Sequence, residues 1–269
     1  MGAILHQGPE PILRTYKIAS KALSRTVEID VYRPAVFPIQ PLNLVIFNDG
    51  QDLRNMRTKE TLGKLHSDSK ISPTLVVGMV AADRMREYGT SERMDYKGRG
   101  DLSRAHEIFV TEELTPWLER RFMLYKDTSR RAVAGFSLGG LNAFDLAWRN
   151  PDHFSTAGVF SGALWWRSKA FQADDPDADR IIHTYVEAAP APPSGFRAWI
   201  MAGTDDETDD RNNNGIIDAI DDSTDLHRLL ETKGLATPHE VCYVEVQGGQ
   251  HNPGTWANVL GDFLEWLRF

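Results

Sequence analysis

From Thr26 to Tyr32 apolar and polar side chains alternate, with Val27, Ile29 and Val31 on one side, the period of a strand with one covered face. Residues 13 to 20 are expected to pair with it. Six further apolar runs of strand length follow, at Leu44 to Phe47, Leu75 to Val80, Ala132 to Phe136, Ala157 to Phe160, Ala198 to Met201 and Val241 to Val246. Most are continuous rather than alternating, as strands covered on both faces are. Helical spacing is expected over 56 to 67, 103 to 122, 138 to 149, 221 to 233 and 253 to 267. In the last of these Trp256, Val259, Leu260, Phe263, Leu264 and Leu267 recur at steps of three and four, and Asn252-Pro253 makes a helix start. The stretches 82 to 101, 165 to 195 and 204 to 220 read as loop-rich, and none looks like an interdomain linker. Strands alternating with helices imply an α/β fold, a mainly parallel central sheet with helices on both faces, spanning residues 1 to 269 as a single domain.

Loops carried on such a sheet are where chemistry is placed. Residues Arg131 to Gly140 read as an apolar strand running into Gly135-Phe136-Ser137-Leu138-Gly139, a GxSxG motif, and then into a helical pattern. In a nucleophile elbow the serine sits on a sharp turn, and small residues two positions to either side let strand and helix approach. The competing explanation is a glycine-rich turn with an idle serine. A serine hydroxyl needs a base to take its proton and an acid to hold that base, and behind an elbow of this kind the order is Ser, acid, His. Of the later histidines, His183 and His227 fall in polar helix-like stretches and His239 opens a strand. His251 sits in the turn Gly248-Gly249-Gln250-His251 between the last strand and the last helix, where the base belongs. The acid should follow the preceding strand, which runs into Asp205-Asp206-Glu207. Asp206 is preferred for lying a short turn beyond Gly203, with Asp205 and Glu207 as alternatives. The oxyanion hole should use the N–H of Leu138 and one from the loop after Phe47, where Gln51 is the choice and Asp52 the alternative.

Charge alters this picture in one place. The chain has 38 acidic and 30 basic residues, a formal net charge of −8, and residues 205 to 225 hold nine of the acids and one arginine, so the remainder is balanced. No Lys/Arg run is long enough to suggest a basic face for a nucleic-acid backbone. The segment Asp210 to Asp221 fits a twelve-position calcium loop: Asp210, Asn212, Asn214, Asp218 and Asp221 place oxygens at positions 1, 3, 5, 9 and 12, Gly215 makes the turn at 6, Ile216 offers its carbonyl and Ile217 is the apolar residue at 8. Asp221 stands where the usual loop has a longer glutamate. A structural Ca2+ bracing the connection beyond the acid is expected, with no part in activating water; the alternative is a solvated acidic loop.

With 41% hydrophobic and 25% charged residues the chain can bury a sizeable core, and no apolar stretch approaches the ~18 residues of a membrane span. The opening MGAILHQGPEP has neither a basic start nor an apolar block, so a cytoplasmic or already processed form is expected, without membrane association. The lone Cys242 excludes an internal disulfide and is expected to be a buried, inert thiol.

Taken together, these motifs resemble the esterase branch of the α/β-hydrolase superfamily, which includes enterochelin and feruloyl esterases. The matching pieces are strand-Asp49-Gly50-Gln51-Asp52, GFSLGG at 135 to 140, Phe160-Ser161-Gly162, GTDDETDDRNNNGIIDAIDD at 203 to 222 and GGQHNPGTW at 248 to 256, from about residue 25 to the end. The resemblance implies an α/β-hydrolase fold, and carries Ser137, His251 and Asp206 over as the triad. It also implies that Asp83 to Tyr88 lies on the substrate side, with Arg84 and Glu87 binding substrate, although a surface ion pair would explain both equally. Trp165 and Trp166 are expected to wall an aromatic or sugar-binding cleft, or else to pack under a loop. A serine carboxylesterase acting through an acyl-enzyme on a small-molecule ester is the leading expectation, with no cofactor for the chemistry. Its rivals are a catalytically silent relative that binds a carbohydrate or siderophore, and a calcium-regulated interaction protein.

Overall fold

The computed structural model describes residues 10–36 and 38–269, so most of the opening segment on which the export reading rests lies outside the described residues. Alternation over 26 to 32 yields the expected hairpin: β1 (Ile12–Ser20) pairs antiparallel with β2 (Arg25–Arg33), with Ile18 opposite Val27. The apolar runs form β3 (Asn43–Phe47), β4 (Thr74–Met79), β5 (Arg131–Phe136), β6 (Thr156–Phe160), β7 (Arg197–Asp205) and β8 (Val241–Gln250). Together they make one eight-stranded sheet in the order β1-β2-β4-β3-β5-β6-β7-β8, parallel from β4 to β8.

In chain order the helices are α1 (Gly50–Asn55), α2 (Thr58–Ser67), α3 (Arg84–Glu87), α4 (Ser103–Ile108), α5 (Thr115–Arg121), α6 (Leu138–Arg149), α7 (Ile181–Ala188), α8 (Asp218–Thr232) and α9 (Pro253–Leu267). Successive strand residues point to opposite faces, so the continuous apolar runs feed two separate layers. Ile46, Val77, Val133, Val159 and Ile200 pack with Val110, Leu118, Leu141, Phe144, Val186 and Leu226 on the side of α4 to α8. Val45, Phe47, Val76, Ala134, Phe160 and Met201 pack with Leu53, Leu62, Trp256, Leu260 and Phe263 on the side of α1, α2 and α9. This is the α/β architecture expected from the alternation of strands and helices.

Three elements differ from the sequence reading. The helix expected over 56 to 67 begins at Thr58, after Arg57 in a left-handed conformation (φ 55°), and a short helix not expected from the sequence, α1, precedes it. The long helix of 103 to 122 contains a π-helical turn, Phe109–Leu114, just before Pro116. A proline there lacks the N–H that would close the ladder, and the widened turn makes room for its ring; the Val110 carbonyl accepts both the N–H and, at 2.7 Å, the Oγ1 of Thr115. Helix α7 lies within the stretch expected to be loop and buries Ile181, Ile182 and Val186. Cys242 is half-buried rather than buried, and that partial burial pushes its thiol pKa up. Among the described residues no helix is long and apolar enough to cross a membrane.

Candidate active site

The parallel strands all end on one edge of the sheet, and the residues just beyond their carboxyl ends carry the candidate chemistry. Ser137 follows β5 directly, with φ 55° and ψ −122°, a conformation that non-glycine residues adopt only where the surroundings impose it. Its N–H donates to the Phe160 carbonyl at 2.8 Å, and its own carbonyl accepts from Gly140, Leu141 and Ala163. The flanking glycines are steric necessities. A Cβ on Gly135 would stand 2.4 Å from the Gly139 carbonyl oxygen, and one on Gly139 would stand 2.6 Å from Asp49 Oδ2. Leu138 opens α6, so its N–H has no intrahelical acceptor.

Of the three consecutive acids, Asp206 is the one that meets the histidine. The pairing of β7 with β8 shifts register between Gly203 and Asp205, and the chain turns there so that Asp206 points inward. Its Oδ2 accepts the Gly203 N–H at 3.1 Å, its Oδ1 accepts the Ser161 hydroxyl at 3.1 Å, and Oδ1 stands 3.8 Å from His251 Nδ1. Asp205 is exposed. Glu207 faces the acidic loop, where burial, reinforced by Asp218, Asp209 and Asp222, pushes its carboxyl up to about 7. The 3.8 Å separation exceeds a hydrogen bond, as do many acid–histidine contacts in substrate-free sites that tighten on binding. Burial holds the His251 pKa below the usual imidazole range; Asp206 opposes that shift and Arg84 adds to it. The other three histidines considered as the base are engaged elsewhere: His183 Nε2 meets the Asp222 carbonyl, His227 lies beside Glu231, and His239 contacts Arg268.

The loop after β3 is tied to the elbow by buried polar contacts that the sequence reading did not single out. Asn48 Nδ2 donates to the Gly139 carbonyl at 2.8 Å and to Asn142 Oδ1 at 3.1 Å, while its Oδ1 contacts His106 Nε2 at 3.1 Å. Asp49, left-handed at φ 59°, donates its N–H to the Tyr88 hydroxyl. The N–H of Asp52 is spent on the Asp49 carbonyl at 3.0 Å.

Arg84 spans this loop and the elbow. Its guanidinium grips Asp49 through Nε–Oδ1 at 2.8 Å and Nη2–Oδ2 at 2.9 Å, donates to the Phe136 carbonyl at 3.2 Å, and remains 41% exposed. Glu87 requires a correction. It is buried, with Oε1 and Oε2 taken by Arg25 at 2.9 and 2.5 Å and with Oε1 also accepting the Ala82 N–H, so it shapes the loop and offers nothing to a substrate. The tryptophans likewise separate. Trp166 is fully buried beneath Gly89 and Gly100, so it packs under a loop instead of lining a cleft. Trp165 is 38% exposed, with the Arg99 guanidinium 5.3 Å from its ring centre.

In the acidic loop, Asp210 accepts the N–H groups of Asn214 (3.1 Å) and Gly215 (2.9 Å), and Asp221 Oδ2 is met by the amides of Asn212 (3.0 Å) and Asn214 (2.7 Å). Asp218 is turned away, its Oδ1 on the Arg211 N–H at 2.9 Å and its Oδ2 3.3 Å from Arg211 Nη1. Among the described residues no three His, Cys, Asp or Glu side chains gather as a metal-binding group. Any cation here would depend on the Asn amides and the Ile216 carbonyl as much as on carboxylates.

A family model described as "Putative esterase" matches residues 20–267. The chain belongs to this esterase family. Iron(III) salmochelin esterase of Escherichia coli O6:H1 is 23% identical over 248 residues, which cover 90% of this chain and 54% of that protein. Among solved structures, the enterobactin esterase of Shigella flexneri in the presence of enterobactin superposes with a TM-score of 0.76 at 19% identity, over 97% of this chain and 60% of that one. A ferulic acid esterase superposes with a TM-score of 0.71 at 15% identity, over 96% and 98%. These structural likenesses show the α/β-hydrolase fold. The chain thus spans a little over half the length of the salmochelin and enterobactin enzymes.

Proposed function

We propose that this esterase is a serine hydrolase that cleaves a carboxylic ester through an acyl-enzyme, with Ser137 as nucleophile, His251 as base and Asp206 as the acid that orients it. The observation that carries the reading is the buried Asp206 carboxylate, 3.8 Å from His251 Nδ1, on the same sheet edge as a serine held at φ 55°. In this scheme Ser137 Oγ attacks the ester carbonyl as His251 takes its proton, and the N–H groups of Leu138 and Gln51 receive the oxyanion. His251 then returns the proton to the departing alcohol and activates water for deacylation. Arg84 and Trp165, both part-exposed, are the substrate-side residues, with Glu87 and Trp166 as their supports.

Labelling with a fluorophosphonate tests this reading directly: a single adduct is expected, mapped to the peptide containing Ser137. An unlabelled protein that still bound a carbohydrate or siderophore would favour a silent binding protein.

The ring formed by Asp210, Asn212, Asn214 and Asp221, with the Ile216 carbonyl, is proposed to hold a structural Ca2+ once the two amides turn their oxygens inward, Asp218 remaining with Arg211. Calcium there would tie the end of β7 to the start of α8 and so steady the turn that carries Asp206. Chelation is expected to lower the melting temperature by several degrees without preventing acylation, and Asp221→Ala to abolish the calcium-dependent part of that shift. An unchanged melting temperature would mean a solvated loop.

A further inference from the structure

Two side chains outside the proposed triad converge on its acid. Trp256, in the first turn of α9, lies with its ring edge-on to His251, centroids 5.5 Å apart at 82°, and stacks on Phe136 at 4.8 Å and 17°. Its indole Nε1–H donates to Ser161 Oγ at 2.9 Å. Ser161, just beyond β6 in a left-handed conformation (φ 48°), has Asp206 Oδ1 at 3.1 Å and Met201 Sδ at 3.5 Å from its hydroxyl oxygen. All three polar residues of this chain are buried: Trp256 is 5% exposed, Ser161 2% and Asp206 8%.

The direction of the hydrogen bonds follows from the groups themselves. An indole nitrogen only donates, so Ser161 must accept there, and its single proton goes to the better acceptor, the carboxylate, not the thioether. The result is a one-way relay from Trp256 through Ser161 to Asp206 Oδ1, the oxygen that faces His251. With the Gly203 N–H on Oδ2, both carboxylate oxygens are fixed and the plane of the acid is set.

We propose that Ser161 and Trp256 are positioning residues that aim Asp206 at His251, with Trp256 also serving as the wall against which the imidazole rests. The inference rests on the reading of Asp206 as the triad acid. Ser161→Ala removes the hydroxyl donor on Oδ1, so the carboxylate can swing and its charge is less shared. Trp256→Phe keeps the ring but removes the N–H, leaving the Ser161 hydroxyl free to turn away.

The test is a pair of pH–rate profiles on a nitrophenyl ester, with Ser137→Ala measured in parallel. Ser161→Ala is expected to lower kcat by about 10- to 100-fold with KM within about twofold of wild type. Its acid limb should move to higher pH, because the less delocalised Asp206 charge favours the imidazolium. Trp256→Phe should shift both quantities in the same direction by less. Because the two groups act in series, the double variant should be no slower than Ser161→Ala alone. Wild-type kcat and pH profile in both single variants, a loss confined to KM, or additive losses would overturn the relay. Circular dichroism checks folding, and Trp256→Phe decides alone if Ser161→Ala does not fold. An active Ser137→Ala would instead defeat the triad reading itself, whereas an inactive Ser137→Ala beside a normal Ser161→Ala would defeat only this inference.

Discussion

Ser137→Ala is expected to reduce turnover of a nitrophenyl ester by on the order of 10^6-fold, the scale of loss when a serine hydrolase loses its nucleophile. The fold should survive. Alanine at a positive φ is strained to about the same degree as serine, and the hydrogen bonds that hold the elbow are made by the Ser137 backbone: its N–H to Phe160 and its carbonyl to Gly140, Leu141 and Ala163. These contacts are all backbone to backbone, so truncating the Ser137 side chain leaves them in place. The melting temperature should therefore stay within about 2 °C of wild type, a shift corresponding to about 1 kcal/mol in a chain of this size. Activity near wild type in a folded Ser137→Ala would place the nucleophile elsewhere and reject the proposal.

The parts of this site that could be read from the sequence are those set by short-range steric rules. A GxSxG after an apolar strand has one geometry open to it, and the 2.4 Å and 2.6 Å approaches at Gly135 and Gly139 show why those two positions cannot carry a side chain. His251 was marked in the same way by a glycine-rich turn between the last strand and α9. What the sequence left open depended on register and on distant partners. The choice among Asp205, Asp206 and Glu207 is made by a register shift between β7 and β8, which leaves no local signature. Glu87 has the composition of a loop carboxylate, and its fate is fixed by Arg25, 62 positions away on β2. Trp165 and Trp166 are indistinguishable by type, and the turn after β6 buries one and exposes the other. Ser161 and Trp256 lay within motifs that matched the family, but a hydroxyl and an indole carry no pattern that says they meet across 95 positions.

Asp206→Asn is expected to reduce kcat by about 10^4-fold while Asp205→Asn remains near wild type. The reason lies in which amide orientation the surroundings permit. The Gly203 N–H donates to the position of Oδ2, so the amide oxygen of the variant belongs there and the NH2 group takes the position of Oδ1, facing both Ser161 and His251 Nδ1. A donor opposite Nδ1 makes that nitrogen an acceptor and drives the ring proton to Nε2, the nitrogen that must be bare to receive the serine proton. The pH profile gives a second readout. Asp206 raises the His251 pKa against the lowering by burial and by Arg84, so without its charge the acid limb should move to lower pH, opposite to the shift expected for Ser161→Ala. The two variants thus separate loss of the charge from loss of the hydrogen bond that spreads it. If Asp205→Asn took the large loss instead, the register shift at Gly203 would be delivering a different carboxylate to the histidine in solution, and the acid would have to be reassigned.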